Sequence, residues 1–380
     1  MKICHIAATT EGATWMCEQL VELRDRFGHD VYAIVEAGSG ELLNKLERAG
    51  IPFRQFDFSF PVFSNAYTLL LRVIGLAQVF RDERFDVVQT HLFNSMVLGR
   101  LAAWLADVPV RLAMIAGPYH LEAHTPRWID GSTMWMETAL VPSCEYTRGL
   151  YRAMGAPNDR LFVVYYGPDE RKFDPAKTPP VHIRREMGWK EDTPLVAMVA
   201  YFYPSLPASS WTPLFLHGRA NKRQEDLISA APAVLREFPD AQFLLIGSSW
   251  GEAGAAVETR LKQQAIDEGL ADRIHFLGFR QDVNGLLKEA DVSVQASLSE
   301  NLGGTLESLL MGCPTVATRS GGMVDSVRDG VTGLLVEPLN PAALADGIVR
   351  MLRDRAQAQR FATAGRALAI ERFSLSRTAM

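Results

Sequence analysis

The sequence lacks the patterns that mark several classes of protein. Its four cysteines, Cys4, Cys17, Cys144 and Cys313, are scattered, with no CxxC pair and no His/Cys spacing typical of a zinc site. This usage indicates a reducing compartment, with Cys4 and Cys313 as small residues of the core. No apolar run reaches about 18 residues, so no membrane-spanning helix is expected. The apolar stretch at the N-terminus ends too soon for a secretory signal.

Charge and glycine patterns disfavour two further classes. The net charge of −5 argues against a protein whose main task is to bind nucleic acid, although local charge can still bind an anionic small molecule. Neither half of the chain carries GxGxxG followed by an acidic residue about 20 positions later, which disfavours a dehydrogenase. The 380 residues are too many for one ordinary core and suit two domains of roughly 150–190 residues.

Short apolar runs alternate with amphipathic segments in two series. The runs that predict strands are residues 3–7, 31–35, 86–90, 111–115, 139–143, 162–165, 195–199, 242–246, 274–277, 292–295, 315–317 and 333–336. The clearest helical segments are residues 12–27, 41–48, 67–81, 95–106, 145–154 and 223–237. Repeated β-then-α units predict parallel sheets with helices on both faces. The fold is therefore expected to be α/β, with two consecutive doubly wound domains.

A proline-rich, polar segment at residues 173–180 separates the two series and is typical of a linker. The predicted organisation is an N-terminal domain at 1–172, a linker at 173–193 and a C-terminal domain at 194–360. A helical segment at 361–380 could return to the N-terminal domain. Ligands of doubly wound sheets bind beyond the carboxyl ends of the strands, so two sheets facing each other would place one ligand in a central cleft.

Two segments each allow more than one interpretation. Residues 69–80 are the longest apolar stretch, interrupted by Arg72 and Gln78, and a buried helix is favoured over membrane attachment. The aromatic segment YFYPSLPASSWTPLFL at 201–216 does not fit the alternation. It could be a lid, a wall of an acceptor pocket or an interface loop.

The most informative stretch is SLSENLGGTLESLLMGCPTVAT at 297–318, which follows a predicted strand. Its glycine pair, Gly303 and Gly304, lets backbone amides approach a ligand closely, and amides at a helix N-terminus attract phosphate. Glu307, near the start of the helix, could bind sugar hydroxyls through charge-assisted hydrogen bonds. An ordinary strand-loop-helix with a capping glutamate would show the same pattern.

In each predicted domain, the loop after the first strand also carries candidate residues. In the second domain, Arg219, Lys222 and Arg223 lie just before a helix. Cations in that position could clamp a diphosphate, although such a run is also typical of a solvated surface loop. In the first domain, Gly12 of the segment TTEGA permits close backbone approach to a ligand, but it is not part of a GxGxxG motif.

Together these features resemble the family-4 retaining glycosyltransferases of the GT-B architecture. The resemblance covers nearly the whole chain and is strongest over residues 194–373. Its motifs are FPDAQFLLIG (238–247), DRIHFLGFRQDV (272–283), EADVSVQASLSE (289–300), ESLLMGCPTVAT (307–318), GGMVDSVRDGVTGLLVEP (321–338) and ERFS (371–374). The resemblance implies two Rossmann-like domains facing a central cleft. It also implies a nucleoside diphosphate sugar as donor, with UDP favoured over GDP.

The same resemblance implies roles for residues around the nucleotide. Lys222 would bind the donor diphosphate with help from Arg219, and these two cations would carry the electrostatic part of catalysis. Glu307 would hold the ribose hydroxyls. Phe279 and Arg280 would border the base.

A second group would face the transferred sugar or the phosphates. Glu300, Asn301 and Leu302 would lie along the sugar, and Gly12 would bring the first turn of the N-terminal domain against the donor. The residues that would offer backbone amides are Gly303, Gly304 and Thr305.

The sequence departs from the family pattern in its donor motifs. The family usually has seven residues between its two glutamates, whereas six separate Glu300 from Glu307. Alignment on Glu307 places Ser299 opposite the usual first glutamate, so Glu300 would approach the sugar differently or a backbone amide would replace it. The family arginine five residues before the lysine is here His217, and Arg219 lies three before it.

The N-terminal domain departs from the pattern as well. The family histidine after the fifth strand corresponds to Ile115, and His120, five residues later, is the predicted catalytic histidine. His91 and Asn94 follow a predicted strand and are candidate acceptor-binding residues, although His91 could instead cap the next helix. No D-x-D pair occurs. Such a pair typically holds the divalent ion in metal-dependent glycosyl transfer, so no metal is expected.

The predicted function is transfer of a hexose-type sugar from a nucleoside diphosphate sugar to a hydroxyl, with retained configuration. The acceptor would be a glycan, a lipid-linked glycan or a small molecule. Two alternatives are a sugar-nucleotide epimerase on the same architecture and a non-catalytic nucleotide-sugar-binding subunit. No cofactor besides the donor is expected. The predicted location is cytoplasmic, with peripheral contact at the inner face of a membrane if the acceptor is lipid-linked.

Overall fold

The computed structural model describes residues 1–13, 15–60, 65–165, 167–373 and 375. The chain divides into two compact units, Met1–Tyr165 and Tyr166–Arg377, and each has its own parallel sheet. The end of the C-terminal segment that could return to the N-terminal domain lies outside the described residues, as does Ser374 of the ERFS motif. The finer domain boundaries therefore stay predictions.

The first unit has six described strands in the order β3-β2-β1-β4-β5-β6, all parallel. The strands are β1 (Lys2–Ala7), β2 (Asp30–Glu36), β3 (Phe53–Phe56), β4 (Val87–His91), β5 (Val110–Ile115) and β6 (Ala139–Pro142). The helices are α1 (Trp15–Asp25), α2 (Glu41–Arg48), α3 (Ala66–Glu83), α4 (Phe93–Leu105), α5 (Tyr119–Glu122), α6 (His124–Thr133) and α7 (Glu145–Ala153).

The second unit has six described strands in the order β12-β11-β10-β7-β8-β9, again all parallel. The strands are β7 (Leu195–Val199), β8 (Gln242–Ile246), β9 (Ile274–Gly278), β10 (Val292–Gln295), β11 (Thr315–Thr318) and β12 (Leu334–Val336). The helices are α8 (Ile183–Glu186), α9 (Gln224–Glu237), α10 (Gly251–Asp267), α11 (Val283–Glu289), α12 (Thr305–Leu310), α13 (Met323–Ser326), α14 (Pro341–Arg353) and α15 (Arg355–Arg372).

The two sheets share one topology. Each begins with a central strand, extends to one side, and then returns to the other side of that strand, so that β1 lies beside β4 and β7 beside β10. Ligands of doubly wound sheets bind beyond the carboxyl ends of the strands at this switch point. The prediction of two doubly wound α/β units is confirmed, and the loops after these four strands are the places to seek a site.

Helices cover both faces of each sheet, as the near-continuous apolar strands require. In the second unit, Leu227 of α9 and Ile348 of α14 pack on one face, whereas Ile183 of α8 and Leu286 of α11 pack on the other. Full burial of each such side chain contributes roughly 1.5–3 kcal/mol. All four cysteines are buried, which confirms Cys4 and Cys313 as core residues.

Two strand predictions differ from the structure. Residues 162–165 do not form a strand. Leu161 makes an isolated parallel bridge to Leu140, and the backbone N–H groups of Phe162 and Val164 donate to β6 before the chain turns away. Strand β3 was not predicted. It lies at the sheet edge and is at most half-buried, so its apolar pattern is weak.

Helix α3 is only partly buried, contrary to the prediction for residues 69–80. Val73, Leu76 and Phe80 pack in the core, but the other face of its N-terminal half is apolar and exposed. The residues of this apolar stripe, with their exposed fractions, are Tyr67 (69%), Leu70 (55%), Leu71 (49%) and Ile74 (45%). Their i, i+3, i+4, i+7 spacing places them on one side of the helix. Among the described residues, no helix is both long enough and apolar enough to cross a bilayer.

Candidate active site

A pocket of about 410 Å³, called here the donor pocket, opens beyond the carboxyl ends of the strands of the second unit. Ala200, just after β7, and Gly303, in the loop after β10, form part of its wall. It therefore lies at the switch point that the topology predicts. The sequence-predicted residues that line it are Lys222, Phe279, Arg280, Gly303, Gly304 and Glu307.

Lys222 is held in this wall by Glu300. Its Nζ forms an ion pair and a hydrogen bond with Glu300 Oε2, and the two side chains are only 16% and 17% exposed. Burial favours the neutral amine, but the Glu300 charge outweighs it and keeps the pKa of Lys222 above its usual value. Ser297 Oγ donates a second hydrogen bond to the same carboxylate oxygen at 3.3 Å. The donor pocket thus contains a fixed ammonium charge.

For Glu307, unlike Lys222, burial outweighs the neighbouring charge and favours the neutral form. It lies in the first turn of α12 and lines the donor pocket. Burial raises the pKa of Glu307 to about 7, although the Lys222 charge opposes this shift. Its carboxyl group makes no hydrogen bond within the described part of the chain. A half-buried carboxyl group with free acceptor capacity is suited to receive a pair of hydroxyl donors, as a ribose presents.

The glycine pair is required by close packing. Gly303 has φ of 56°, in the left-handed region. A Cβ atom there would lie 2.7 Å from Glu300 Cγ, and a Cβ at Gly304 would lie 2.6 Å from Gln295 Nε2. A side chain at Gly303 would therefore displace the partner of Lys222. The two glycines therefore leave room for the Lys222–Glu300 ion pair, and they also allow the backbone to approach a ligand closely.

Phe279 and Arg280 follow β9 at another part of the wall. The Phe279 ring is 64% exposed, which leaves an aromatic face free to stack on a planar base. The Arg280 guanidinium is bound at 2.8 Å to Asp282 and at 3.3 Å to Glu186. Because its charge is already paired, Arg280 contributes shape to the wall more than free positive charge.

The aromatic segment at 201–216 forms part of the same wall. Tyr201 and Tyr203 line the donor pocket. The Tyr203 ring lies 6.0 Å from Lys222 Nζ and 5.4 Å from the Trp250 ring. Parallel bridges anchor the segment, including that of Phe202 to Ser249. Sequence reasoning did not assign these aromatics to the site. The sequence feature that could have indicated them is the excess of aromatic residues soon after β7, the first strand of the second unit.

Several predicted donor residues are not among the side chains of the wall. Arg219 is exposed, and its guanidinium donates to the Phe215 carbonyl at 3.0 Å. Its role beside Lys222 stays a prediction. Glu300 does not line the pocket itself and adjoins it through Lys222. Three further predicted residues that do not line the pocket are buried, namely Asn301, Leu302 and Thr305.

His91 is a buried residue at the end of β4. Its side chain is fully buried, its Nε2 lies 3.2 Å from His5 Nδ1, and its ring lies 4.9 Å from Trp15. Burial lowers the pKa of His91 and lowers that of His5 to about 3, so both rings are neutral. This last residue of β4 packs in the core, and its acceptor-binding role stays a prediction. Asn94, in the first turn of α4, and Gly12, at φ of 64°, stay predictions.

A second pocket, of about 280 Å³, lies within the first unit beyond the carboxyl ends of β4 and β5. We call it the apolar pocket, because most of its wall is hydrophobic. His120 lines it, and His120 Nε2 lies 3.2 Å from Asp130 Oδ2. Its apolar wall residues include Leu92, Phe93, Met96, Met114 and Ile115.

Two family profiles match this chain. The profile "Glycosyl transferase 4-like domain" matches residues 11–167, and "Glycosyl transferases group 1" matches residues 213–354. Together they span most of the sequence. The chain belongs to the family-4 glycosyltransferases of the GT-B fold. The matches favour glycosyl transfer over the epimerase and the non-catalytic subunit.

Two relatives illustrate the range of this glycosyltransferase family. The D-inositol 3-phosphate glycosyltransferase of Corynebacterium glutamicum is 26% identical, over 74% of this chain and 67% of its own length. The UDP-Gal:alpha-D-GlcNAc-diphosphoundecaprenol alpha-1,3-galactosyltransferase of Escherichia coli is 24% identical, over 74% of this chain and 70% of its own length.

Solved structures share the fold over the whole chain. HepE of Anabaena, in complex with UDP and glucose, has a TM-score of 0.77 and 21% identity, and the match covers 100% of this chain and 97% of HepE. A glycosyltransferase of Rickettsia africae has a TM-score of 0.82 and 20% identity, with coverage of 100% and 95%.

The altered glutamate spacing of this glycosyltransferase has a visible structural basis. Asn221 brackets Ser299, accepting from its backbone N–H at 2.8 Å and donating to its carbonyl at 2.7 Å. Ser299 is buried, and the next residue, Glu300, forms the ion pair with Lys222. In the part of the chain that the structure describes, no group of three His, Cys, Asp or Glu is placed to hold a metal ion.

Proposed function

We propose that this glycosyltransferase transfers a hexose from a UDP-sugar to a hydroxyl, with retained configuration, using the donor pocket for the nucleotide sugar. The observation that carries the proposal is the buried Lys222 ammonium, held by Glu300 in the pocket wall beside Glu307. Two comparisons support uridine as the base. HepE has been solved with UDP-glucose, and the name of the E. coli relative specifies UDP-Gal.

Lys222 would stabilise the leaving diphosphate. As the bond between sugar C1 and the diphosphate oxygen breaks, negative charge grows on the phosphate, and a preorganised cation lowers the energy of that state. The acceptor oxygen forms the new bond to C1 on the same face, and its proton passes to the departing phosphate. The protein then acts mainly by positioning and charge.

Glu300 and the diphosphate would compete for Lys222. The diphosphate carries more negative charge than one carboxylate, so donor binding can replace the ion pair with a Lys222–phosphate contact. Released from Lys222, the Glu300 carboxylate is free to accept hydrogen bonds from sugar hydroxyls. Glu307 would bind the ribose and Phe279 the base, while the backbone at Gly303 and Gly304 approaches the sugar or phosphates.

Metal-independent transfer forms part of the proposal. Lys222 provides the positive charge that a divalent ion would otherwise provide on the diphosphate, and the sequence has no D-x-D pair. Turnover in EDTA should equal turnover without it. Loss of activity in EDTA that magnesium or manganese restores would contradict this part.

On the acceptor side, we propose a lipid-linked acceptor and peripheral contact with a membrane. The apolar stripe of α3 supports this, because its exposed face has no acidic residue before Asp82. Since α3 leads into β4, its N-terminal half lies toward the carboxyl-end edge of the sheet, as the apolar pocket does. The E. coli relative is named for a diphosphoundecaprenol-linked acceptor. The cytoplasmic location stays an expectation.

Nucleotide binding and turnover test the proposal together. UDP, GDP, ADP and dTDP are compared by thermal unfolding, where a ligand at 100 times its Kd stabilises the folded state by about 2.7 kcal/mol. UDP should give the largest increase in Tm. UDP release from UDP-glucose or UDP-galactose should increase when lipid-linked sugar acceptors are added. No increase in Tm with UDP, together with no UDP release, would overturn the proposal.

A further inference from the structure

A buried polar network surrounds Asp130 in the first unit. The Asp130 carboxylate, on α6, accepts hydrogen bonds from Tyr151 Oη at 2.5 Å, Arg100 Nη1 at 2.7 Å and His120 Nε2 at 3.2 Å. Asp130, Arg100 and Tyr151 are fully buried. His120 is the member of this group that also lines the apolar pocket. Through its hydrogen bond with His120, the buried Asp130 network therefore reaches the wall of the apolar pocket.

The network contains an ionised aspartate. Burial alone would raise the pKa of Asp130, but the Arg100 charge and the hydrogen bonds from His120 and Tyr151 hold it below its usual range. An ionised carboxylate can only accept hydrogen bonds. The His120 nitrogen that faces it, Nε2, must therefore carry a proton and donate it.

The other nitrogen of the His120 ring has no partner among the residues that the structure describes. Nδ1 makes no hydrogen bond with the described residues, and it is not among their buried, unpartnered polar atoms. It is therefore accessible, in a side chain that lines a pocket whose wall is otherwise mostly apolar. In a neutral imidazole with Nε2 protonated, Nδ1 is a hydrogen-bond acceptor.

We propose that Asp130 is a positioning residue that fixes the Nε2–H form of His120, leaving Nδ1 to accept a hydrogen bond from the hydroxyl of the sugar acceptor. The apolar walls beside it, including Phe93 and Met114, take an apolar group attached to that hydroxyl compound. The ligand class is thus an alcohol with an adjoining apolar group. This inference rests on the proposed function for the role of the hydroxyl, but its geometry is independent of the donor.

Nitrogen NMR of the histidine rings tests the inference without an enzymatic assay. The protein is labelled with 15N-histidine, and His120 is assigned from the signals lost in His120→Gln. At pH 8 the spectrum should show the Nε2–H tautomer. Benzyl alcohol, added as probe, should shift the Nδ1 resonance by hydrogen bonding, whereas toluene, which lacks the hydroxyl, should not. A His120 signal in the Nδ1–H form, or equal responses to the two probes, would overturn the inference.

Two variants separate positioning from structural support. Asp130→Asn places an amide beside His120 that can donate to Nε2, so the ring should change to the Nδ1–H form and lose the response to benzyl alcohol. Tyr151→Phe also removes a hydrogen bond from Asp130 but leaves the His120 contact, so it should keep both signals. If Asp130→Asn keeps the parent tautomer, the assignment to Asp130 fails. If Asp130→Asn does not fold, the parent protein and Tyr151→Phe still decide the question.

Calorimetry with UDP on the parent protein distinguishes the two proposals. A protein that fails to bind UDP but shows the expected His120 signals would contradict the proposed function and leave the tautomer assignment standing. A protein that binds UDP but has the wrong tautomer would contradict only the role of Asp130.

Discussion

Lys222, which lines the donor pocket, forms an ion pair with Glu300, 78 positions further along the chain. Removing one member of such a largely buried pair leaves an uncompensated charge, which costs about 3–5 kcal/mol in comparable cases. In the intact protein the two charges compensate each other. This relationship makes separate predictions for the two residues.

Replacing Lys222 by alanine should lower turnover about 10²–10³-fold, the usual loss when one preorganised charge at a developing anion is removed. UDP-hexose turnover by the purified variant is the measurement. Lys190→Ala is the matched control, because Lys190 is a highly exposed lysine whose partner is Asp240, and it should keep parent turnover. A folded Lys222→Ala protein with near-normal turnover would remove Lys222 from the mechanism.

Replacing Glu300 by glutamine should strengthen UDP binding, because the diphosphate no longer displaces a carboxylate from Lys222. An increase in affinity of about fivefold corresponds to roughly 1 kcal/mol. Turnover should fall in the same variant, since the carboxylate no longer reaches the sugar. Calorimetry gives the affinity, and Glu225→Gln, which alters the neighbouring pair with Arg223, is the control. Weaker UDP binding by Glu300→Gln would mean that Glu300 supports Lys222 and does not compete with the ligand.

Sequence patterns predicted the fold better than the orientation of side chains. Strand-helix alternation is local, so two doubly wound units could be predicted from apolar runs alone. The motif around Gly303 and Glu307 also lies between a strand and a helix, as its glycine pair predicts.

Side chains at loop ends depend on packing that no local pattern reports. Arg219 bonds to a carbonyl four residues back, and His91 points into the core toward His5. Neither orientation could be predicted from the position of the residue in the sequence. Asp130 is the opposite case, a residue that no sequence motif pointed to and that the fold places beside a predicted site residue. It lies inside an unremarkable helix, and only the fold brings it to His120.

Membrane contact should depend on the apolar stripe of α3. The triple substitution Leu70→Gln, Leu71→Gln and Ile74→Gln removes three exposed apolar side chains, each worth about 1 kcal/mol if half of its surface enters the lipid interface. Co-sedimentation with phosphatidylcholine–phosphatidylglycerol vesicles should fall at least tenfold. Ile266→Gln, an exposed apolar position on α10, should bind vesicles like the parent. Equal binding by the triple variant would rule out the stripe as the contact.

UDP affinity should increase with pH around neutrality because of Glu307. If its ionised carboxylate binds the ribose hydroxyls, affinity should rise as pH increases through about 7, the pKa of the buried group. Glu307→Gln should bind more weakly by about 1–2 kcal/mol above that pH and lose the pH dependence. Its kcat should change little, because the contact is the same in ground and transition states. Glu300→Gln is the comparison, because it removes the carboxylate that pairs with Lys222 and leaves Glu307 in place. The UDP affinity of this variant should depend on pH as that of the parent protein does.

The same carboxyl group should make the ligand-free protein less stable as pH rises. Burial raises the pKa of Glu307 from its ordinary value of 4.5 to about 7, so between these values the folded state binds more protons than the unfolded state. The free energy of unfolding must then fall as pH rises from about 4.5 to 7. For a half-buried group the loss is on the order of 1–3 kcal/mol. Urea unfolding at pH 5 and pH 8 measures it, and Glu307→Gln should reduce the difference. An unchanged difference in that variant would place the titration elsewhere in the protein.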